Sequence, residues 1–149
     1  MKKLRMFLLA ALFLLMPILS ACSDAEDIEE IREQFFARQV ESIFMNLERY
    51  TGRTIRLEGI FMSWHDEWET NETYYFVLRW LSDDCCGGGG GGSAGFELHM
   101  GDFAPPPDDA WVQVTGVLEL VDGWMPNNPV LVVTAIEELA TRGAEVIFQ

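Results

Sequence analysis

Arg53-Thr54-Ile55-Arg56-Leu57-Glu58-Gly59-Ile60-Phe61-Met62-Ser63-Trp64 alternates apolar and polar side chains on either side of one glycine. Alternation of this kind places successive side chains on opposite faces of a strand. A glycine inside such a run permits a bulge or a sharp coil, so the segment predicts a strand that bends at its middle. Working outward, Thr73 to Leu81 is dense in tyrosine, phenylalanine, valine and tryptophan, the side chains that favour strands. Phe96 to Met100 reads as a shorter strand. Trp111 to Leu120 follows the rigid Pro105-Pro106-Pro107, and Val130 to Leu139 follows Asn127-Asn128-Pro129. The tail from Arg142 to Gln149 reads as a final short extended piece.

Five curved strands within about 90 residues predict a mainly β domain, a five-stranded OB-like barrel over residues 51–149, with a sandwich as the alternative. Many OB barrels carry a helix between their third and fourth strands. Here residues 101–110 are too rich in proline for that, and the helix is expected ahead of the barrel. Between residues 28 and 50, Ile28, Ile31, Phe35, Val40, Ile43, Phe44 and Leu47 recur mostly at spacings of three and four. Acidic residues crowd the first turn and Gly52 follows the end, so one amphipathic helix is predicted over 28–50. Its glutamates would face anionic headgroups on a bilayer, which favours packing against its own domain or another copy of the helix.

The first 21 residues have the layout of a secretory signal peptide: Lys2, Lys3 and Arg5, then an apolar run from Met6 to Leu15, then small residues. Leu19-Ser20-Ala21-Cys22 resembles the lipobox of bacterial lipoproteins. That resemblance implies cleavage before Cys22, acylation of Cys22 with chains such as palmitate, and a short tether over residues 22–27. Two or more acyl chains make a stable anchor where one would be marginal. The chain is therefore expected in the bacterial cell envelope, on the extracytoplasmic face of a membrane. Ser23 is not a retention aspartate, which in a diderm would favour the outer membrane.

Ten Lys and Arg stand against 24 Asp and Glu, and three of the ten lie in the leader. No Lys or Arg occurs between Arg79 and Arg142. Binding a phosphate backbone depends on such cations displacing counterions, so nucleic acid is excluded as an expected partner.

Several segments resemble a family of bacterial domains of unknown function. Gly52-Arg53-Thr54-Ile55-Arg56-Leu57-Glu58-Gly59 is similar to its first strand, and Tyr75-Phe76-Val77-Leu78-Arg79-Trp80 leading to Cys85-Cys86 to its second. Trp111 to Gly116 and Pro129 to Ile136 are similar to its last two strands. The resemblance, over Tyr50 to Leu139, is to the paired-cysteine C-terminal domain of an uncharacterised membrane-protein family. Members are encoded beside predicted permeases, so the resemblance implies a permease or another membrane protein as partner.

With Cys22 assigned to lipid, Cys85 and Cys86 are the remaining thiols of three. Three readings stay open for this adjacent pair. It can close a strained vicinal disulfide, supply thiolate ligands to zinc or copper, or cap a strand with no chemical role. The candidate further ligands are His99, on the strand after the glycine loop, and His65, Asp83 and Asp84. Gly87 to Gly92 lacks the context of a phosphate-binding loop and reads as a flexible connection. Trp64, Trp68, Trp80, Trp111, Tyr74 and Tyr75 are expected mainly to pack. Trp124, in the loop before the last strand, is the candidate ligand residue, because OB barrels bind with such loops. No triad, nucleophile elbow or metal-protease motif occurs in the sequence. The expected function is a non-enzymatic binding or accessory module of a transporter or envelope complex. The alternative is a metal-binding or thiol-redox module built on Cys85, Cys86 and His99.

Overall fold

The computed structural model describes residues 28–82, 91–121 and 127–148. In chain order they form β1 (Glu29–Glu30), a 3-10 turn (Glu33–Phe35), α1 (Phe36–Met45), α2 (Leu47–Tyr50), β2 (Thr54–His65), β3 (Thr73–Ser82), β4 (Ser93–His99), β5 (Trp111–Val121), β6 (Asn128–Glu138) and β7 (Val146–Phe148). The protein is mainly β, as the alternation predicts, with seven strands in one sheet.

The five long strands pair in a ring. β2 pairs with β3 and β5, β5 with β6, β6 with β4, and β4 with β3. Within the ring only β4 and β6 run parallel. The ring is not a clean five-stranded barrel, because two short strands extend it. β1 lies parallel to β2 at Ile55 and Arg56, and β7 lies parallel to β3 from Trp80 to Ser82.

Gly59 is where β2 changes partner. Residues 54–60 pair with β5 and residues 60–65 with β3, so the strand must coil between the two. A Cβ at Gly59 would sit 2.7 Å from the Leu78 carbonyl oxygen and 3.1 Å from Cγ2 of Val77. The close approach of two backbones, rather than an unusual dihedral, is what demands glycine here.

The single helix expected over residues 28–50 is replaced by several pieces. Glu29 and Glu30 are extended because the next residue, Ile31, reaches the core at 4% exposure and its amide donates to the Arg56 carbonyl at 2.9 Å. Burial of one isoleucine with a strand partner outweighs a helical spacing. Gln39 on α1 bridges the other side of this strand, accepting from the Arg32 amide at 2.9 Å and donating to the Glu30 carbonyl at 3.1 Å. Its carboxamide satisfies the groups a further strand would pair. Asn46, at φ −135°, separates α1 from α2. The helix turns Phe36, Val40 and Ile43 into the core, while Phe35, a member of the expected apolar stripe, is half-exposed.

The core joins these helical residues to Ile55, Leu57, Phe61, Val77, Phe96, Leu118 and Leu131 from the ring. Within it sits a guanidinium. Arg79 on β3 is 1% exposed, and its carbon lies 4.8 Å from the ring centres of both Phe36 and Trp111. Nε donates to the Glu58 carbonyl at 2.9 Å, and Nη1 donates to Glu33 Oε2 at 3.0 Å and to the Ala144 carbonyl at 3.1 Å. Glu33 Oε2 also accepts from the Ala144 amide at 3.0 Å. These bonds, that of the Ala144 amide first and those of Arg79 next, hold the Glu33 carboxyl below its ordinary range.

Gly59→Ala is expected to lower the unfolding free energy by about 1–3 kcal/mol, because its methyl meets backbone that cannot move aside. Arg79→Met is expected to cost about 3 kcal/mol or more, since it orphans buried carbonyls and an ion-pair partner. Glu33→Gln should cost less, because its side chain is 53% exposed. Urea unfolding followed by circular dichroism measures all three, and a Glu33→Gln cost equal to that of Arg79→Met would contradict the ranking.

Candidate functional site

Cys22, Cys85, Cys86 and Trp124 lie outside the described residues. His99 closes β4. In the β3–β4 hairpin, Trp80 pairs with Ser93 near the connecting segment and Tyr75 with Leu98 at the other end. Six residues of strand separate Ser93 from His99, about 20 Å at 3.3 Å per residue. His99 is therefore at the end of β4 remote from Ser82 and Gly91, between which the cysteine pair falls in the sequence. Among the described residues no group of three or more His, Cys, Asp or Glu is arranged to hold a metal ion. His65 lies on β2, its Nδ1 3.1 Å from the Thr73 hydroxyl.

The hairpin instead brings His99 to a groove of about 420 Å³. Its walls are Glu72 and Tyr74 at the start of β3, Glu97 and His99 at the end of β4, and Val121 and Val130, the stems of the β5–β6 loop. That loop carries Trp124 in the sequence. Of the predicted positions, His99 is on the groove wall, and Val121 and Val130 of the strands flanking the Trp124 segment also reach it.

The β2–β3 loop forms one rim, and Asp66 shapes it. Its carboxylate accepts from the amides of Trp68 at 3.0 Å, Glu69 at 3.2 Å and Thr70 at 2.9 Å, and from the Thr70 hydroxyl at 2.9 Å. The Asp66 amide reaches across to the Glu72 carbonyl at 2.9 Å, and Asn71 turns the chain at φ 56°. The amide bonds of Thr70 and Trp68 chiefly hold the Asp66 carboxyl down, from 3.8 to about 2. Tyr74 points its hydroxyl at the Thr70 hydroxyl, 3.2 Å away, and its ring stacks with Trp64 at 6.0 Å. On the opposite wall, Asn128 donates through Nδ2 to Glu97 Oε2, joining β6 to β4.

The aromatic side chains divide. Trp111 packs in the core as expected, at 2% exposure, and Tyr74 is buried. Trp64 and Trp68 do not pack away: they are 45% and 91% exposed, Trp64 stacked on Tyr74 of the groove wall and Trp68 on the β2–β3 loop. Trp80, 39% exposed, lies at the other end of β3. For Trp68 the signal was present, since the tryptophan stands in Asp66-Glu67-Trp68-Glu69-Thr70-Asn71, a polar turn with no strand pattern. Nothing in the sequence pointed to Glu72 or Glu97, which reach the groove only through strand pairing.

Fold and groove together define a small mainly β domain that presents an open, tyrosine-lined hollow at one end of its ring. The chain belongs to the family described as DUF1980 C-terminal domain, which matches residues 17–149. That match extends beyond the resemblance over residues 50–139 and takes in the helical segment whose side chains complete the core. No curated protein and no solved structure matches the chain.

Because Asp66 is depressed in the fold, its contribution is complete above its ordinary value of 3.8 and is lost as pH falls toward about 2. Asp66→Asn should lower the thermal midpoint at neutral pH, with the gap to the unaltered protein closing between about pH 4 and pH 2. A gap unchanged at pH 2 would show that the rim does not depend on the carboxylate's charge.

Proposed function

We propose that this chain is a lipid-anchored, extracytoplasmic, non-enzymatic binding module, held at the membrane by Cys22 and engaging a membrane-bound partner, such as a permease or envelope complex, through the groove. In this reading the ring of five strands is an OB-type barrel. Such barrels bind along their second and third strands and with the loops after the first strand and before the last. The corresponding parts here are β3, β4, the β2–β3 loop and the β5–β6 connection, and the groove is lined by β3, β4, Glu72 of the β2–β3 loop and Val121 and Val130 of β5 and β6.

The observation that carries the proposal is the exposure of Trp68 at 91%, on a loop made rigid by Asp66. Loops positioned by a stiff scaffold are where binding residues concentrate, and a tryptophan held in water by an ordered turn gains nothing for the fold. Membrane attachment is supported by the lipobox-like Leu19-Ser20-Ala21-Cys22. The link to membrane proteins rests on the sequence resemblance to the paired-cysteine domain of a membrane-protein family.

A photo-crosslinking amino acid placed at Trp68 in the full chain, expressed in bacterial cells, tests this reading. The expected result is a discrete crosslinked species in the membrane fraction, absent when the same group replaces Glu48 on α2. In a Cys22→Ser chain the protein should leave the membrane fraction. Equal crosslinking from both positions, or full membrane retention of Cys22→Ser, would overturn the corresponding half of the proposal.

A further inference from the structure

Building on the groove as the binding site, we infer that its ligand is a basic peptide segment of a protein partner, engaged through lysine or arginine side chains. Three independent properties converge on it. First, the field is one-signed. The chain carries a formal charge of −14, and no Lys or Arg occurs from residue 80 to 141, the stretch that supplies β4, β5, β6 and their loops. Glu72 and Glu97 are the carboxylates on the groove walls, and His99 is the titratable base facing them.

Second, aromatic side chains gather at this end of the ring. Tyr74 and Tyr75 line the groove, Trp64 stacks on Tyr74 from the neighbouring strand, and Trp68 is exposed on the β2–β3 loop that leads to Glu72. An ammonium or guanidinium over such faces gains cation–π attraction, which an anionic or purely aliphatic ligand would not. The protein already uses this pairing internally, with Arg79 between Phe36 and Trp111 and with Arg49 and Arg53 over Tyr50.

Third, the shape suits an extended segment. A hollow of about 420 Å³ exceeds one side chain and is open to solvent, and Tyr75 and Val121, part-exposed on its wall, offer apolar surface to the methylene stem of a lysine or arginine. Charge complementarity then sets partner choice and encounter rate, while these apolar and aromatic surfaces supply contact area.

The test uses the full chain without its leader and a fluorescein-labelled peptide of alternating lysine and leucine, with the acetyl-lysine version of the same peptide as its uncharged twin. Anisotropy titration should show binding that weakens at least about tenfold on acetylation and falls steeply with salt. Trp68→Ala and Glu72→Gln should each weaken binding by about threefold or more, and together by more than either. Glu41→Gln and Glu48→Gln on the helices, which alter net charge equally, should change it less than about twofold. Trp68, Glu72, Glu41 and Glu48 are exposed, and thermal midpoints within a few degrees of the parent confirm folding. Equal binding of the acetylated peptide overturns the inference. So does a loss shared equally by groove and helix variants, which would show only bulk attraction to an acidic protein. If the Trp68 crosslink forms while the lysine peptide fails to bind, the groove remains the binding site and the cationic ligand is wrong. If both fail, the site itself is wrong.

Discussion

Arg79 is a cation with almost no water around it, and a group in that position persists only when protein atoms take over its hydrogen bonds. Those atoms come from three parts of the chain. β2 supplies the Glu58 carbonyl, the 3-10 turn supplies the Glu33 carboxylate and the segment before β7 supplies the Ala144 carbonyl, while the rings of Phe36 and Trp111 lie against the guanidinium. The guanidinium thus ties the segments before and after the ring to the ring itself. An uncharged side chain of the same size would fill the space but could not satisfy two carbonyls and a carboxylate approaching from three segments. Gly143 belongs to the same construction, because a Cβ there would strike Glu33 and press on Trp111.

The tie also bears on the groove. β3 carries Arg79 toward one end and Tyr74 toward the other, five residues or about 17 Å apart. A strand clamped by a buried guanidinium and by neighbours on both sides gives the groove wall little freedom to shift. The rim is fixed by a second, local device: Asp66 gathers three amides and a hydroxyl into one compact turn. A ligand that meets this surface meets a preformed one, and preorganisation lowers the entropy that binding would otherwise cost. The hollow between α1 and β4 is slightly larger, about 460 Å³, and carries Phe44 on its wall, but it is lined by helix and strand residues with both Arg38 and Glu41 among them, so its charge is not one-signed.

Electrostatics acts on two scales in this molecule. At short range the charges are paired: Arg79 with Glu33, Arg53 with Glu29, Arg142 with Asp109. At longer range they are not balanced, and the arginine-free stretch leaves β4, β5 and β6 in a negative field. Short-range pairs settle the fold, while the unbalanced remainder sets which ligands are attracted.

The sequence by itself determined the strands. Alternation about Gly59, the aromatic-rich run at Thr73–Leu81 and the proline-bounded segments each identify a ring strand, because side-chain period is a local property of the backbone. It also determined the charge asymmetry, and it set Trp68 in a polar turn, although the turn alone did not decide that the ring would stay exposed. Tertiary structure alone decided what those strands bring together. The helical spacing of residues 28–50 broke into strand and helix, because Ile31 found a buried place beside β2 that no helix could offer. Arg79 read as one more polar residue in an alternating strand, and only the arrival of Glu33 and Ala144, 46 and 65 positions away, made it a core residue. Glu97 meets Asn128 across a parallel pairing that no local pattern announces. Of the site, the sequence singled out His99 but not the neighbours it meets, because residue type is local while Glu72, Glu97 and Tyr74 come together only through strand register and loop closure.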